Sequence, residues 1–268
     1  MRSQILMLLA FIISLSACKK DNETVISEAE NKIAVRRMVV FDPLKVIITN
    51  HTGETEMLSS EHNPENPENA FDSIGYWHNQ IVAYVQNCKP VTDTPDVAAS
   101  TQCVLRFCRE TKRIEPPASF FLTVNHTVRQ SNENIETLIA NCPYEEPVKA
   151  ALDSLVQLIK RLSESNSPYP VIKAMIVDFE RRIMQNNLLN PEGREIALKA
   201  ASVARFSIYY WMNTLQPPAP VAAFKFKNIV KWIAAVTSDI GGAIVSGSVE
   251  YAADCSSYAF DLVTYSMP

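Results

Sequence analysis

Val148-Lys149-Ala150-Ala151-Leu152-Asp153-Ser154-Leu155-Val156-Gln157-Leu158-Ile159-Lys160-Arg161-Leu162 returns to an apolar residue every three or four positions. Val148, Ala151, Leu152, Leu155, Val156, Ile159 and Leu162 therefore share one face of a helix. Two stripes of the same kind follow. After Pro168 and Pro170 come Val171, Ile172, Met175, Ile176, Phe179, Ile183 and Met184; after Asn190-Pro191 come Ile196, Ala200, Val203, Ala204, Ser207, Ile208, Trp211 and Met212. Asn190 before Pro191 is a helix start, because the carboxamide caps free N–H groups and proline needs none at the first position. Short proline-bounded connections make sequential helices antiparallel neighbours. The fold class that follows is mainly α, a multi-helix bundle with one or two short extended segments near the N-terminus.

Upstream, a helix is expected over about residues 70 to 87, with Asn69 as N-cap and Asp72 completing a variant capping box. Ile74, His78, Ile81 and Val85 fall at helical spacing, so His78 lies in the apolar stripe. A ring buried there needs a hydrogen-bond partner, since leaving it unpaired costs about 1–3 kcal/mol. A second helix is expected from Thr94 or Pro95 to about Lys112, with Val97, Thr101, Val104, Leu105 and Cys108 on one face. Ser119 to Val124 reads as a buried connector or short strand, and Asn132 to Ile139 as a further helix ended by Cys142-Pro143. Ile33 to Thr49 carries β-branched runs and supplies the extended segments; residues 50 to 69 are a loop.

Downstream of the rigid Pro217-Pro218-Ala219-Pro220, a last helical stretch runs from about Lys225 to Tyr265, with Gly241-Gly242 as its candidate break. Trp232 to Val249 raises the question of a membrane span. Asp239 in its middle argues against one, because a carboxylate at the bilayer centre costs about 2.5–3.5 kcal/mol. Ser238, Gly242 and Ser246 recur every fourth residue, a small-residue ridge for close helix packing. A buried terminal helix is the preferred reading; a self-associating, membrane-active segment is the alternative.

The first 17 residues have the build of a secretory leader: Arg2, an apolar run from Ile5 to Ile13, and small residues at Ser16-Ala17. Leu15-Ser16-Ala17-Cys18 resembles a bacterial lipobox, which places a fatty acyl anchor such as palmitate on Cys18. Two or more acyl chains make such an anchor stable. Lys19-Lys20-Asp21-Asn22-Glu23 resembles the charged stretch behind the lipid-bearing cysteine of Bacteroidota lipoproteins. Expected organisation is thus residues 1–17 signal, 18–31 flexible tether and 32–268 helical domain, held at the outer membrane of the cell envelope, periplasmic or surface-exposed.

The 268 residues carry 25 basic and 29 acidic side chains, a formal charge of −4 that becomes −5 without Arg2. A mildly acidic chain with no Lys/Arg cluster excludes nucleic acid as the expected partner. The expected partners are the membrane, through Cys18, and an unidentified protein or small molecule. Six cysteines less Cys18 leave an odd number. Cys103 and Cys108 are poorly placed to bridge on one helix; Cys88 with Cys103 or with Cys142 is freer, and spacing alone does not choose.

No cofactor or metal is called for. The four histidines, His51, His62, His78 and His126, form no His-x-x-x-His or Glu-x-x-His pair. Gly-rich phosphate loops, Gly-x-Ser-x-Gly, Ser-x-x-Lys and His-Glu-x-x-His are all missing. His78 and Asn79 are adjacent on a helix and are expected to point apart, so a Cys–His–Asn arrangement finds no support. No residue is assigned as catalytic. The preferred function is a lipid-anchored binding or structural module; the rival is an envelope hydrolase or metal-binding protein centred on His78.

Asn66-Pro67 with Asp72-Ser73-Ile74-Gly75-Tyr76-Trp77-His78-Asn79, then Ala201 to Trp211, then Trp232 with Asp239-Ile240-Gly241-Gly242-Ala243 resemble, in this order, a family of uncharacterised exported proteins and lipoproteins of the Bacteroidota. Its motif is Asn-Pro-x-Asp-x-x-Gly-x-x-His-Asn; here Glu68 to Phe71 stand between the Asn-Pro and Asp elements. The resemblance implies export, a shared helical fold, and one local unit formed by Asp72, Gly75, His78 and Asn79.

Overall fold

Apolar stripes at helical spacing become eight α-helices in the computed structural model, with no strand among the described residues. These residues are 63–90, 94–111, 113, 116–165, 167–215 and 226–266, all within the unit Ile47–Pro268. The expectations for the leader, Cys18, the tether, the extended segments, His51, His62 and the Pro217–Pro220 spacer lie outside them. The helices are α1 Asp72–Cys88, α2 Val97–Glu110, α3 Val124–Asn141, α4 Glu146–Glu164, α5 Tyr169–Met184, α6 Pro191–Leu215, α7 Phe226–Ser246 and α8 Val249–Ser266.

Four of them close a ring: α1 packs on α6, α6 on α7, α7 on α8, and α8 back on α1. α6 also receives α4 and α5, α8 receives α2 and α3, and α3 leans on α7 as well. Every residue of α6 from Ala200 to Tyr209 is buried. A helix covered on all sides must be apolar all round or must pair each polar group it carries. Ser202, Arg205 and Ser207 are the polar exceptions in that stretch, and they organise the site.

Helix starts follow local chemistry. Asn190 accepts from the Gly193 N–H at 2.7 Å, as expected of the cap before Pro191. Asp96 accepts from Ala98 and Ala99 at the start of α2. The N-cap position of α1 falls to Phe71, which has no side-chain bond; Asn69, just ahead, accepts from the Phe71 N–H on its Oδ1 at 2.9 Å while its amide donates inward to Glu180.

Four further expectations change. Ser119 to Val124 is neither strand nor plain connector; a 3-10 helix spans Ala118–Thr123, burying Phe121 and leaving Leu122 exposed. α3 begins at Val124, ahead of the expected Asn132, and kinks at Asn134, whose side chain accepts from the Thr137 N–H. Only its second half announces itself in sequence, because the first half buries Thr127 and Ser131 beside Val124 and Val128. On α5, Val171 and Met175 are exposed; the buried face runs through Ile172, Ile176, Phe179, Glu180 and Ile183. The helix is turned so that Glu180 points into the bundle. Gly241 and Gly242 lie within α7, and the chain breaks at Gly247, which takes φ +65 between α7 and α8.

The small-residue ridge of α7 is spent inside the molecule. A Cβ at Gly242 would stand 2.8 Å from the Ala252 backbone of α8, while Ser246 bonds back to the Gly242 carbonyl and Ser238 is fully buried. Among the described residues, no helix is long and apolar enough to cross a membrane. A disulfide joins Cys88, at the end of α1, to Cys103 on the inner face of α2, with Cα atoms 5.9 Å apart.

Candidate functional site

The four residues singled out on α1 are each tied to the ring helices beside it. Asp72 receives the Arg205 guanidinium of α6 on one carboxylate oxygen and the Asn66 backbone N–H on the other, at 3.0 Å. One turn on, Gly75 donates its N–H to the Ser202 hydroxyl at 3.1 Å, and that hydroxyl donates to the Asp72 carbonyl at 3.0 Å. Asn79 donates to the Phe206 carbonyl at 2.7 Å. His78 turns toward α7, its Nε2 lying 3.0 Å from Asp239 Oδ1. The other Asp239 oxygen accepts from the Ser207 hydroxyl.

The His78–Asp239 approach is close but out of line for a hydrogen bond. The second ring nitrogen, Nδ1, lies 3.1 Å from Asn79 Oδ1. That contact corrects the expectation that neighbouring side chains point apart. The Asn79 amide is anchored on the Phe206 carbonyl, which swings its oxygen back onto the imidazole. Both imidazole nitrogens thus face oxygens, and His78, Ser207 and Asp239 are wholly buried.

Arg205 lies between two carboxylates: Asp72, and Glu180 of α5 at 3.1 Å. Glu180 in turn accepts from the Asn66 carboxamide at 2.6 Å and the Asn69 carboxamide at 2.8 Å. Asn69 also reaches the Leu198 carbonyl at 3.1 Å. Burial alone would lower the Arg205 guanidinium, yet Glu180 and Asp72 together hold it above its usual range. The loop Asn63 to Phe71 is thereby fastened on the buried carboxylate of α5 that also holds α6, and α1 starts from that anchorage.

Gly75 has its role in this contact. A Cβ there would sit 2.4 Å from Phe206 Cδ2 and 2.6 Å from the Ser202 carbonyl oxygen. A carbonyl within a packed helix cannot move aside as a side-chain tip can. Gly75→Ala is expected to cost about 1–3 kcal/mol, the usual range for overpacking. Urea denaturation checks this; a midpoint equal to the parent's would show that α1 can move off α6.

Sequence reasoning placed His78 inside the bundle and grouped it with Asp72, Gly75 and Asn79. It missed the pairing roles of Ser202, Arg205 and Glu180, and it noted Asp239 as an obstacle to a membrane span and as part of a resemblance, without a partner. One signal was present: a lone arginine within the apolar run Ala200 to Trp211 must be paired if the helix is central. His126 stands exposed on α3. A pocket of about 60 Å³, lined by Ile74, Tyr144, Ile196, Lys199, Val203 and Ile244 among others, does not include His78. Among the described residues, no group of three or more His, Cys, Asp or Glu is placed to hold a metal ion.

No family model, curated protein or solved structure matches this chain.

Proposed function

We propose that this chain is a lipid-anchored protein of the cell envelope, attached through Cys18, whose helical domain is a binding or structural module. The observation that carries the reading is Leu15-Ser16-Ala17-Cys18 behind a basic, apolar leader. The Cys88–Cys103 disulfide supports it, because such bonds persist in oxidising compartments outside the cytosol. The interior cluster supports the module rather than a catalyst. His78, Asp239, Arg205 and Glu180 are fully buried, and each is engaged with a neighbour in the fold. Arg205, between Asp72 of α1 and Glu180 of α5, ties those two helices to α6.

Metabolic labelling with an alkyne analogue of palmitate in a Bacteroidota host tests the anchor. The parent chain is expected to carry label and to sediment with membranes. Cys18→Ala is expected to lose both label and sedimentation. Label that survives Cys18→Ala would remove the foundation of the reading.

A further inference from the structure

Where α1, α6 and the turn between α7 and α8 meet, the ring leaves a pocket of about 60 Å³. Its floor is apolar and buried: Ala200 and Val203 of α6, Ile244 of α7 and Val249 of α8. Tyr144, ahead of α4, walls one side and is fixed there by its hydroxyl, which donates to the Ile244 carbonyl at 3.0 Å. The mouth lies at the turn. Gly247 is exposed there, and a Cβ on it would meet nothing within 4 Å. The charged residue of the lining is Lys199, with 31% of its side chain exposed and its ammonium 2.5 Å from Glu195, one turn earlier on α6.

Size and charge narrow the occupant. A cavity of about 150 Å³ takes benzene, so one of 60 Å³ takes roughly two or three carbon atoms, the scale of an isopropyl group. The buried floor offers no partner to a charge, so the charged part of a ligand stays at the mouth. The mouth is acidic on balance. Glu192 lies close enough to act on the Tyr144 phenol, and Glu250, held by Arg113, takes up the Ser248 hydroxyl of the lining. With Glu195 these carboxylates disfavour a lone anion beside Lys199. The Lys199–Glu195 pair itself is half exposed and contributes little, so either member can exchange its partner. A ligand that carries an ammonium beside a carboxylate satisfies both members at once.

We propose that this pocket binds a free aliphatic α-amino acid of about valine size. Its side chain fills the apolar floor, its carboxylate takes Lys199 and its ammonium takes Glu195. The ion pair on α6 opens and both halves are paired again, so no charge is left without a partner. Residues four apart on a helix hold their Cβ atoms about 5–6 Å from each other, which lets two flexible side chains bracket one α-carbon. The inference gives the binding module a ligand class and rests on that reading of the domain; it is independent of the anchor at Cys18.

Calorimetric titration of the full chain with L-valine tests the site, and saturable binding of one equivalent is expected. Isovalerate keeps the side chain and carboxylate without the ammonium, and isobutylamine keeps the side chain and ammonium without the carboxylate. Each is expected to bind about tenfold more weakly than valine, as is the Lys199→Gln chain toward valine itself. Ala243 lines the same pocket and is partly exposed, so Ala243→Leu fills the space without entering the core and is expected to abolish binding. Absence of saturable valine binding overturns the proposal, and so does isovalerate binding as tightly as valine. A folded Ala243→Leu chain that binds like the parent also overturns it; should that variant not fold, undiminished binding by Lys199→Gln does so. Loss of valine binding in a chain that still carries the palmitate label strikes the ligand class alone, whereas loss of label with valine binding intact strikes the anchor alone.

Discussion

Replacing Arg205 by alanine is expected to destabilise the fold by about 3–5 kcal/mol, the cost of breaking a buried ion pair from one side. The size follows from what remains. Glu180 stays fully buried and keeps its two asparagine donors but loses the cation it pairs with among the described residues. Asp72, at 17% side-chain exposure, gains some relief from water; Glu180 at 0% gains none. The loop before α1 and the pairing of α5 with α6 then weaken together, because one carboxylate serves both. Guanidinium denaturation of the parent and variant gives the difference directly, and a loss under about 1 kcal/mol would show that the guanidinium is dispensable. Pairing Arg205→Met with Glu180→Gln should recover much of the loss, since the charge left without its cation is then the partly hydrated Asp72 and not a fully buried one. A double variant as weak as Arg205→Ala would place the cost in packing instead.

Removing the Cys88–Cys103 bond, by reductant or by paired Cys→Ser changes, is expected to cost about 3 kcal/mol. The bond closes a segment of 15 residues, and cross-linking a loop of that length restricts the unfolded chain by this amount. For a domain of this size the loss corresponds to roughly 6–12 °C in melting temperature. A scan with and without reductant reads it, and superimposable transitions would count against the bond. The same variant has a local consequence. α2 is fastened to α1 by this disulfide and to α8 by its Ser100 and Thr101 hydroxyls, which donate to Asp254, so the bond's loss should fall first on the protection of α2 amides.

Much of the fold was legible. The stripes beginning at Val148, at Val171 and at Ile196 sit on helices whose buried faces are largely the ones their spacing requires, and Asn190-Pro191 starts α6 as its chemistry demands. Legibility failed where tertiary partners overrode local preference. Asn69 is a good cap by residue type and its Oδ1 accepts from the Phe71 N–H, yet its amide donates to Glu180 and the Leu198 carbonyl and α1 starts only at Asp72. Val171 and Met175 are as apolar as Ile172 and Ile176, but the demand to bring Glu180 inside decides which pair faces water. Gly241-Gly242 looks like a break, yet close packing of α7 on its neighbours needs small residues there, and the chain turns at Gly247.

By itself, the order of residues determined that the described part of this chain is helical and that His78 faces inward. Periodicity and capping are local, acting within about a turn, so they can be read from neighbours in the chain. Only the tertiary structure decided the partners: Arg205 for Asp72, Ser202 for Gly75, Asp239 for His78, and Cys103 for Cys88. All four lie on other helices, and a buried charge, ring or thiol specifies the kind of partner it needs but not the segment that brings it.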